Sequence, residues 1–166
     1  MKILNINLAE IENSSVEELK KMVRNVDTEN LRQEFADKET LRIYRVYKSE
    51  VKEISWFDNT LKTNLLLRAR TDTLELNWRK KHQNKEISCV CGYENETLEH
   101  FILYCNLYDS VRVKYGFLQH PCTENEILLL ADILCFNIID KEKIELRKNF
   151  IQELWKVRKL KIQSCQ

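Results

Sequence analysis

The sequence predicts a mostly helical, all-α fold. Its 166 residues include only two glycines and one proline, so long helices are favoured over a fold with many turns. Apolar residues make up 43% of the chain, which is enough for a packed core. They recur at helical intervals of three and four in several stretches, for example at Leu19, Met22, Val23 and Val26. One stretch near residue 90 departs from this helical pattern.

Residues 1–60 are predicted to form an N-terminal helical arm. Ser15 and Glu18 fit a capping box, in which each side chain bonds the backbone N–H of the other residue, for a helix that runs to about Val26. Asp27 or Thr28 is expected to cap a second helix. A third helix is expected to follow, with an apolar run at intervals of three and four: Leu41, Tyr44, Tyr47, Val51 and Ile54.

Residues 61–118 are predicted to hold a basic helix and a metal-binding module. The sequence Asp58-Asn59-Thr60 predicts a turn and helix cap just before this segment. The helix after it carries Leu61, Leu65, Leu66 and Leu67 on its apolar side. Gly116 is expected to end another helix, which follows the metal-binding module.

Residues 119–166 are predicted to form a C-terminal helical pair packed on the same core. Thr123 and Glu126 fit a second capping box, and the helix EILLLADILCFNII is apolar on nearly every side. We therefore expect that helix to be the most buried element. Asp140 is expected to cap a final long helix with a basic end, KVRKLK. These basic residues could bind phosphate, but a favourable interaction with the negative end of the helix dipole is the simpler account.

The departure from the helical pattern lies in residues 89–105, CVCGYENETLEHFILYC. One residue separates Cys89 from Cys91, eight separate Cys91 from His100, and four separate His100 from Cys105. Three thiols and one imidazole have the number and type of ligands found in a closed tetrahedral zinc site. Gly92 can take a positive φ, so a tight turn can direct both sulfurs of the pair to one point. The segment therefore predicts a zinc knuckle, made of a short hairpin and a helix, that binds Zn²⁺.

The spacing of the last two ligands sets a condition on this helix. His100 and Cys105 are five positions apart, whereas side chains three or four apart are neighbours on an α-helix. Either Cys105 lies beyond the end of the helix or the last turn is distorted. Two alternatives to zinc are a set of buried reduced thiols and a redox pair. The redox reading fits less well, because Cys89 and Cys91 form Cys-x-Cys rather than Cys-x-x-Cys.

The other three cysteines are Cys122, Cys135 and Cys165. No run is long enough for a transmembrane helix, and MKILNINLAEIEN has acidic residues where a signal peptide would continue its apolar core. We therefore expect a soluble intracellular protein with reduced cysteines and no membrane partner. Cys135 is expected to be a buried thiol and Cys165 to lie on a frayed tail. Cys122 is expected in a loop, with a ligand pair formed by His120 and Cys122 as the alternative.

The charges are balanced in number but unevenly distributed. The net charge is +1, from 27 basic and 26 acidic residues, which is unlike a strongly basic nucleic-acid-binding protein. Basic residues nevertheless dominate from Lys62 to Lys85. The candidates for phosphate contact there are Arg68, Arg70, Arg79, Lys80 and Lys81. The alternative is a solvated basic helix face. Trp78 could stack on bases, but we favour a core position for it, and we expect His82 at the surface.

The span from about Leu65 to Arg112 resembles the C-terminal zinc-binding region of non-LTR (LINE-type) retrotransposon polyproteins. The matching residues are Arg70, Thr71, Leu76, Asn77, Cys89, Cys91, Glu96, Thr97, Glu99, His100, Cys105, Tyr108 and Arg112. Two positions depart from the pattern: Asp72 replaces the usual glycine after Arg-Thr, and Asn106 replaces the usual proline after the last cysteine.

This resemblance implies a module at the end of a reverse transcriptase that helps to hold element RNA or target DNA. The sequence shows no Tyr-x-Asp-Asp motif and no endonuclease or RNase H signature, so we expect no catalytic activity. The second hypothesis is a helical protein–protein interaction domain with a purely structural zinc. It is favoured by the near-zero net charge, and its partner would be another protein or a second copy bound through the N-terminal helices. A catalytic zinc is least favoured, because protein ligands fill all four positions.

Overall fold

The computed structural model describes residues 14–36, 38–47, 55–83, 86–117, 126–136, 138 and 140–164. The regular structure of these residues is helical and they contain no β-strand, which confirms the predicted all-α class. None of the helices in these ranges is both long enough and apolar enough to span a membrane. The contacts divide the chain into two units, Met1–Ile54 and Ser55–Gln166.

The first unit contains helix α1, Val16–Ala36, a 3₁₀ turn, Glu39–Leu41, and helix α2, Arg42–Tyr47. The predicted capping box is present, since the Ser15 N–H donates to the Glu18 carboxylate (2.7 Å) and the Glu18 N–H donates to Ser15 Oγ (3.3 Å). The predicted break at Asp27 or Thr28 is wrong, because α1 continues through both residues. The Thr28 hydroxyl donates to the carbonyl of Arg24 (2.7 Å), a local bond that fits inside a helix.

Burial in the described part of this unit is confined to α2. None of the residues of α1 is buried, whereas Ile43 and Tyr44 are. The Phe35 ring packs edge-on against Tyr44, with 6.2 Å between the ring centroids. Val51 and Ile54, which were predicted to extend the apolar stripe, lie outside the described residues.

The second unit contains four α-helices and three shorter helical turns among its described residues. In chain order they are α3 (Leu61–Arg70), a 3₁₀ helix (Asn77–Gln83), a π-helical turn (His100–Tyr104), a 3₁₀ turn (Asn106–Tyr108), α4 (Asp109–Lys114), α5 (Glu126–Ile133) and α6 (Lys141–Ser164). The predicted caps are present: Thr60 Oγ1 accepts from the Thr63 N–H, and the Asp140 carboxylate accepts from the Glu142 N–H. Helix α6 packs along α3 and also contacts α4.

The core of this unit is shared between the helices and residues 89–105, the predicted metal-binding segment. Large side chains with essentially no exposed surface come from α3, from residues 98–108 and from α6; they include Leu66, Leu98, Phe101, Tyr108 and Phe150. The segment with the predicted ligands is therefore an integral part of the hydrophobic core.

Helix α5 is less buried than the sequence predicts. Leu130, Ala131 and Ile133 are buried, but Ile127, Leu128 and Leu129 are between 37% and 50% exposed. The expectation that this helix is the most buried element is therefore wrong. It also ends earlier than predicted, because Cys135 has a φ of 60° and the Phe136 N–H closes the helix end on the Ala131 carbonyl (3.0 Å). Thr123, the predicted cap, lies outside the described residues.

Gly116 ends α4 as predicted. Its φ is 75°, its N–H donates to the Val113 carbonyl, and the Phe117 N–H donates to the Arg112 carbonyl (2.8 Å). These two bonds form a Schellman motif, whose left-handed residue is usually a glycine.

Candidate metal centre

The predicted ligands Cys89, Cys91, His100 and Cys105 converge on one point. Their ligand atoms all lie within 4.8 Å of one another. The distance from Cys89 Sγ to Cys105 Sγ is 3.7 Å, and that from Cys91 Sγ to His100 Nε2 is 3.3 Å. Two sulfurs in a tetrahedral site with Zn–S bonds of about 2.3 Å are about 3.8 Å apart. These four side chains could therefore hold a single metal ion.

A tight turn places the first two ligands. The Cys89 N–H donates to the Tyr93 carbonyl (2.8 Å), and the Gly92 N–H donates to the Cys89 carbonyl (2.9 Å). Gly92 has the predicted positive φ, at 92°. A further bond from the Glu96 N–H to the carbonyl of Ile87 (2.9 Å) pairs the two arms of the turn. The result is a short hairpin loop that directs both thiols inward.

A π-helical turn places the last two ligands. The Cys105 N–H donates to the His100 carbonyl (2.7 Å), which is an i→i+5 bond, whereas the Phe101 N–H makes an ordinary i→i+4 bond to the carbonyl of Thr97. The wider turn brings residues five apart to one side of the helix. Both conditions that the ligand spacing allowed are met: the last turn is distorted, and Cys105, with an extended backbone (φ −64°, ψ 117°), lies just beyond its end.

The thiols influence one another strongly. The hydrogen bond with Cys105 lowers the pKa of Cys89 to about 4. The same contact, together with burial, raises the pKa of Cys105 above its usual range, and burial raises the pKa of Cys91. One thiolate therefore disfavours the next, and a cation is what allows all three thiols to lose their protons together.

Arg112 supports the backbone around the last ligand. The side chain is only 2% exposed, and its guanidinium donates to the carbonyls of Cys105 and Ile102 and to the carboxylate of Asp109 (2.5 Å). The resemblance stated from the sequence includes Arg112 but implies no role for it. The structure shows it joining α4 to the π-helical turn.

A buried ion pair joins the metal-binding segment to α6. Arg158 Nε and Nη2 donate to the two carboxylate oxygens of Glu96 at 2.7 and 2.6 Å, and both residues are at most 5% exposed. The Glu96 carboxylate also accepts from the Asn77 N–H (2.7 Å). The resemblance stated from the sequence includes Glu96 and Asn77, but the sequence did not predict that Arg158 would pair with Glu96. The available signal was its place four residues after Leu154 on the apolar stripe of α6.

Tyr93 covers His100, one of the four predicted ligands. Its ring lies nearly parallel to the His100 imidazole, at an interplanar angle of 5° and a centroid distance of 4.4 Å. The side chain of Tyr93 is nevertheless 56% exposed. Sequence reasoning gave this tyrosine no role.

Arg70 lies in the interior, unlike the other candidate phosphate contacts. It is 4% exposed, and its Nη1 donates to the Cys135 carbonyl (3.3 Å). Its guanidinium carbon lies 4.2 Å from the centroid of the Phe136 ring and 5.2 Å from that of Trp56. This arginine therefore joins the end of α3 to the end of α5.

Three of the remaining candidates are on the 3₁₀ helix, and one is on α3. The Arg79 guanidinium donates to the Asp72 carbonyl, and Lys80 Nζ donates to Asn77 Oδ1 (2.9 Å). Lys81 is exposed, with Nζ 3.9 Å from the centroid of the half-buried Trp78 ring. Arg68, on α3, is exposed and forms an ion pair with Glu75, which is also exposed (3.3 Å). The His82 side chain lies outside the described residues.

The cysteines beyond the cluster fall into two groups. Cys135 is 2% exposed, as predicted, and burial raises its pKa to about 11. Cys122 and Cys165 lie outside the described residues, as does His120.

Comparison of the chain with protein-family models, curated proteins and solved structures found no significant match. The resemblance of residues 65–112 to a retrotransposon region therefore stays a prediction from the sequence.

Proposed function

We propose that the chain is a zinc-stabilised nucleic-acid-binding module, belonging to or derived from the C-terminus of a non-LTR retrotransposon reverse transcriptase, without catalytic activity of its own. The ligand set supports zinc, because thiolates favour soft or borderline ions, and three thiolates with one imidazole are a common structural zinc set. Four protein ligands leave no open position for a substrate, which is typical of a structural rather than a catalytic ion.

The observation that carries the nucleic-acid proposal is the connection of the basic 3₁₀ helix to the metal-binding segment through Asn77. The Asn77 side-chain amide donates to the Ser88 carbonyl (2.8 Å), one residue before the first ligand. Its backbone N–H donates to Glu96, and its Oδ1 accepts from Lys80. A metal ion that orders residues 89–105 therefore also fixes the position of the basic residues that follow Asn77.

The mechanism is electrostatic. Lys80 and Lys81 meet phosphates directly, Arg79 contributes beside them, and Arg68 extends the surface onto α3. Neutralised phosphates release counterions, so affinity should fall steeply as salt is added. Arg70 is left out of this surface because its guanidinium is enclosed between aromatic rings.

The test is a charge reversal with a matched control. The double variant Lys80→Glu, Lys81→Glu is compared with Lys141→Glu, Lys143→Glu, which changes the net charge equally at exposed positions in the first turn of α6. Binding of labelled RNA and DNA is measured at several salt concentrations. For a single strand we expect the first variant to flatten the slope of log affinity against log salt by roughly 1.4, since each phosphate contact contributes about 0.7. Unchanged binding, or an equal loss in the control, would exclude this surface.

A second candidate function is a helical protein-interaction domain in which the metal is purely structural. Two observations favour it: Ile127, Leu128 and Leu129 expose apolar surface on α5, and α1 has no buried residue. Sedimentation analysis distinguishes the two functions. A dimer that does not sediment together with RNA or with DNA would support the interaction domain.

A further inference from the structure

Tyr93 combines a stacked ring with a largely exposed residue surface. Its inner face lies flat on the His100 imidazole, yet the residue remains 56% exposed. Core aromatic rings do not show this combination; Phe101, in the same segment, is fully buried. Stacking on His100 accounts for the buried part of Tyr93. It does not account for the large exposed area of this residue.

Both rings of this stack are held by the metal-binding segment. His100 Nε2 lies 3.3 Å from Cys91 Sγ, and the His100 N–H donates to Thr97 Oγ1 (3.2 Å). The Tyr93 carbonyl accepts from the Cys89 N–H. The tyrosine ring is therefore positioned before any partner arrives, which reduces the entropy lost on binding.

The charges around Tyr93 determine what can bind there. Glu86 and Glu94 are exposed close by in the sequence, and their carboxylates repel phosphate. Lys80 is tied to Asn77, which in turn bonds the carbonyl of Ser88 at the start of the hairpin loop. Phosphates are thus favoured on the 3₁₀ helix, whereas the neutral ring of Tyr93 offers a contact for an uncharged, flat group.

Building on the proposed function, we propose that Tyr93 is a platform on which an unpaired base of single-stranded RNA or DNA stacks while Lys80 and Lys81 hold the adjacent phosphates. Every base has a flat π-face, so stacking on an aromatic side chain tolerates different sequences. Bases inside a duplex are already stacked on both sides. The module should therefore bind single strands more tightly than duplexes.

Trp78 is a poorer platform than Tyr93. One face of its ring is occupied by the Lys81 ammonium at 3.9 Å, and the ring is half-buried. A base could not stack on that face without displacing a favourable cation–π contact. Trp78 lies on the basic 3₁₀ helix and Tyr93 lies in the hairpin loop. Of the two, Tyr93 has the more accessible ring.

The experiment uses the full chain with its metal bound and three forms of one sequence: single-stranded RNA, single-stranded DNA and duplex DNA. The variants are Tyr93→Ala and Tyr93→Phe, and the metal content of each is measured. Loss of one stacked base should weaken single-strand binding roughly 5- to 150-fold in Tyr93→Ala. Tyr93→Phe should bind like the unaltered protein, and duplex affinity should change little in either variant. A loss confined to RNA or to DNA would identify which strand supplies the base.

A fluorescent base analogue such as 2-aminopurine gives a second readout, since stacking quenches its emission. We expect quenching with the unaltered protein and with Tyr93→Phe. If Tyr93→Ala loses its metal, the test depends on Tyr93→Phe, and absence of quenching with that variant overturns the platform. Normal single-strand affinity in metal-loaded Tyr93→Ala overturns it as well. If Lys80→Glu, Lys81→Glu still loses binding in that case, the proposed function stands without this inference; if none of the three nucleic acids binds the unaltered protein, the proposed function itself fails.

Discussion

Gly92 shows how a single residue shapes the metal centre. Its φ is 92°, and a methyl group added to it would meet no atom within 4 Å. The cost of Gly92→Ala therefore comes from the backbone alone, and we expect it to lower the free energy of unfolding by about 1–2 kcal/mol. Denaturant titration of the metal-loaded protein measures this change.

Gly116→Ala is the matched control, since Gly116 also has a positive φ and an open surrounding. It should cost a similar amount of stability without changing metal affinity. Gly92→Ala should lower metal affinity as well, because it strains the turn between Cys91 and Tyr93. Equal metal affinity in the two variants would show that the turn does not position the ligands.

Cys91 tests the ligand assignment most directly, since it is the most exposed of the three thiols in the cluster. A serine there removes a thiolate ligand while changing packing little. Cys91→Ser should therefore lower both the bound-metal content and the melting temperature. Cys135→Ser, at the buried thiol outside the cluster, should leave metal stoichiometry unchanged. A normal melt and full metal content in Cys91→Ser would count decisively against its role.

At the scale of elements, α6 is joined to the metal-binding segment through a buried charge. Arg158→Met would leave the carboxylate of Glu96 buried without its cation, and breaking a buried pair in this way costs about 3–5 kcal/mol. Lys159→Met, at the exposed neighbouring position, should change stability by less than about 0.5 kcal/mol. Thermal or denaturant unfolding of both variants provides the comparison.

A double-mutant cycle shows whether the two side chains act as a pair. Combining Arg158→Met with Glu96→Gln should cost clearly less than the sum of the single changes, because the neutral amide no longer needs a cation. Additive costs would mean that the two groups do not interact in solution.

At the scale of the whole molecule, α3 and α6 pack directly against each other. Their buried residues, among them Leu66, Phe150 and Leu154, belong to helices that carry none of the four candidate ligands. Chelation should therefore unfold the second unit locally and not completely. We expect amide hydrogen exchange to accelerate first in residues 87–105, while the amides in the middle of α6 stay protected. Uniform acceleration across the unit would indicate that the metal is required for the whole fold.

Local signals in the sequence predicted much of this architecture. The Ser15–Glu18 box, the Thr60 cap and the stop at Gly116 each depend on residues a few positions apart. The apolar pattern of α5 was less informative, because a run that is apolar on every side does not show which side will face the core. Thr28 was misread for a related reason: a threonine can cap a new helix or bond back inside an existing one.

The sequence by itself determined the all-α class, the helix caps at Ser15, Thr60 and Asp140, and the four converging candidate ligands, since each is specified by residue type and short spacing. Only the tertiary structure decided which charges are buried. Arg70 looked like a phosphate contact but lies among aromatic rings, and Arg158 looked like part of a basic tail but pairs with Glu96, 62 residues away. The burial of Arg70 and Arg158 depends on groups that distant segments supply, and chain spacing does not encode that meeting.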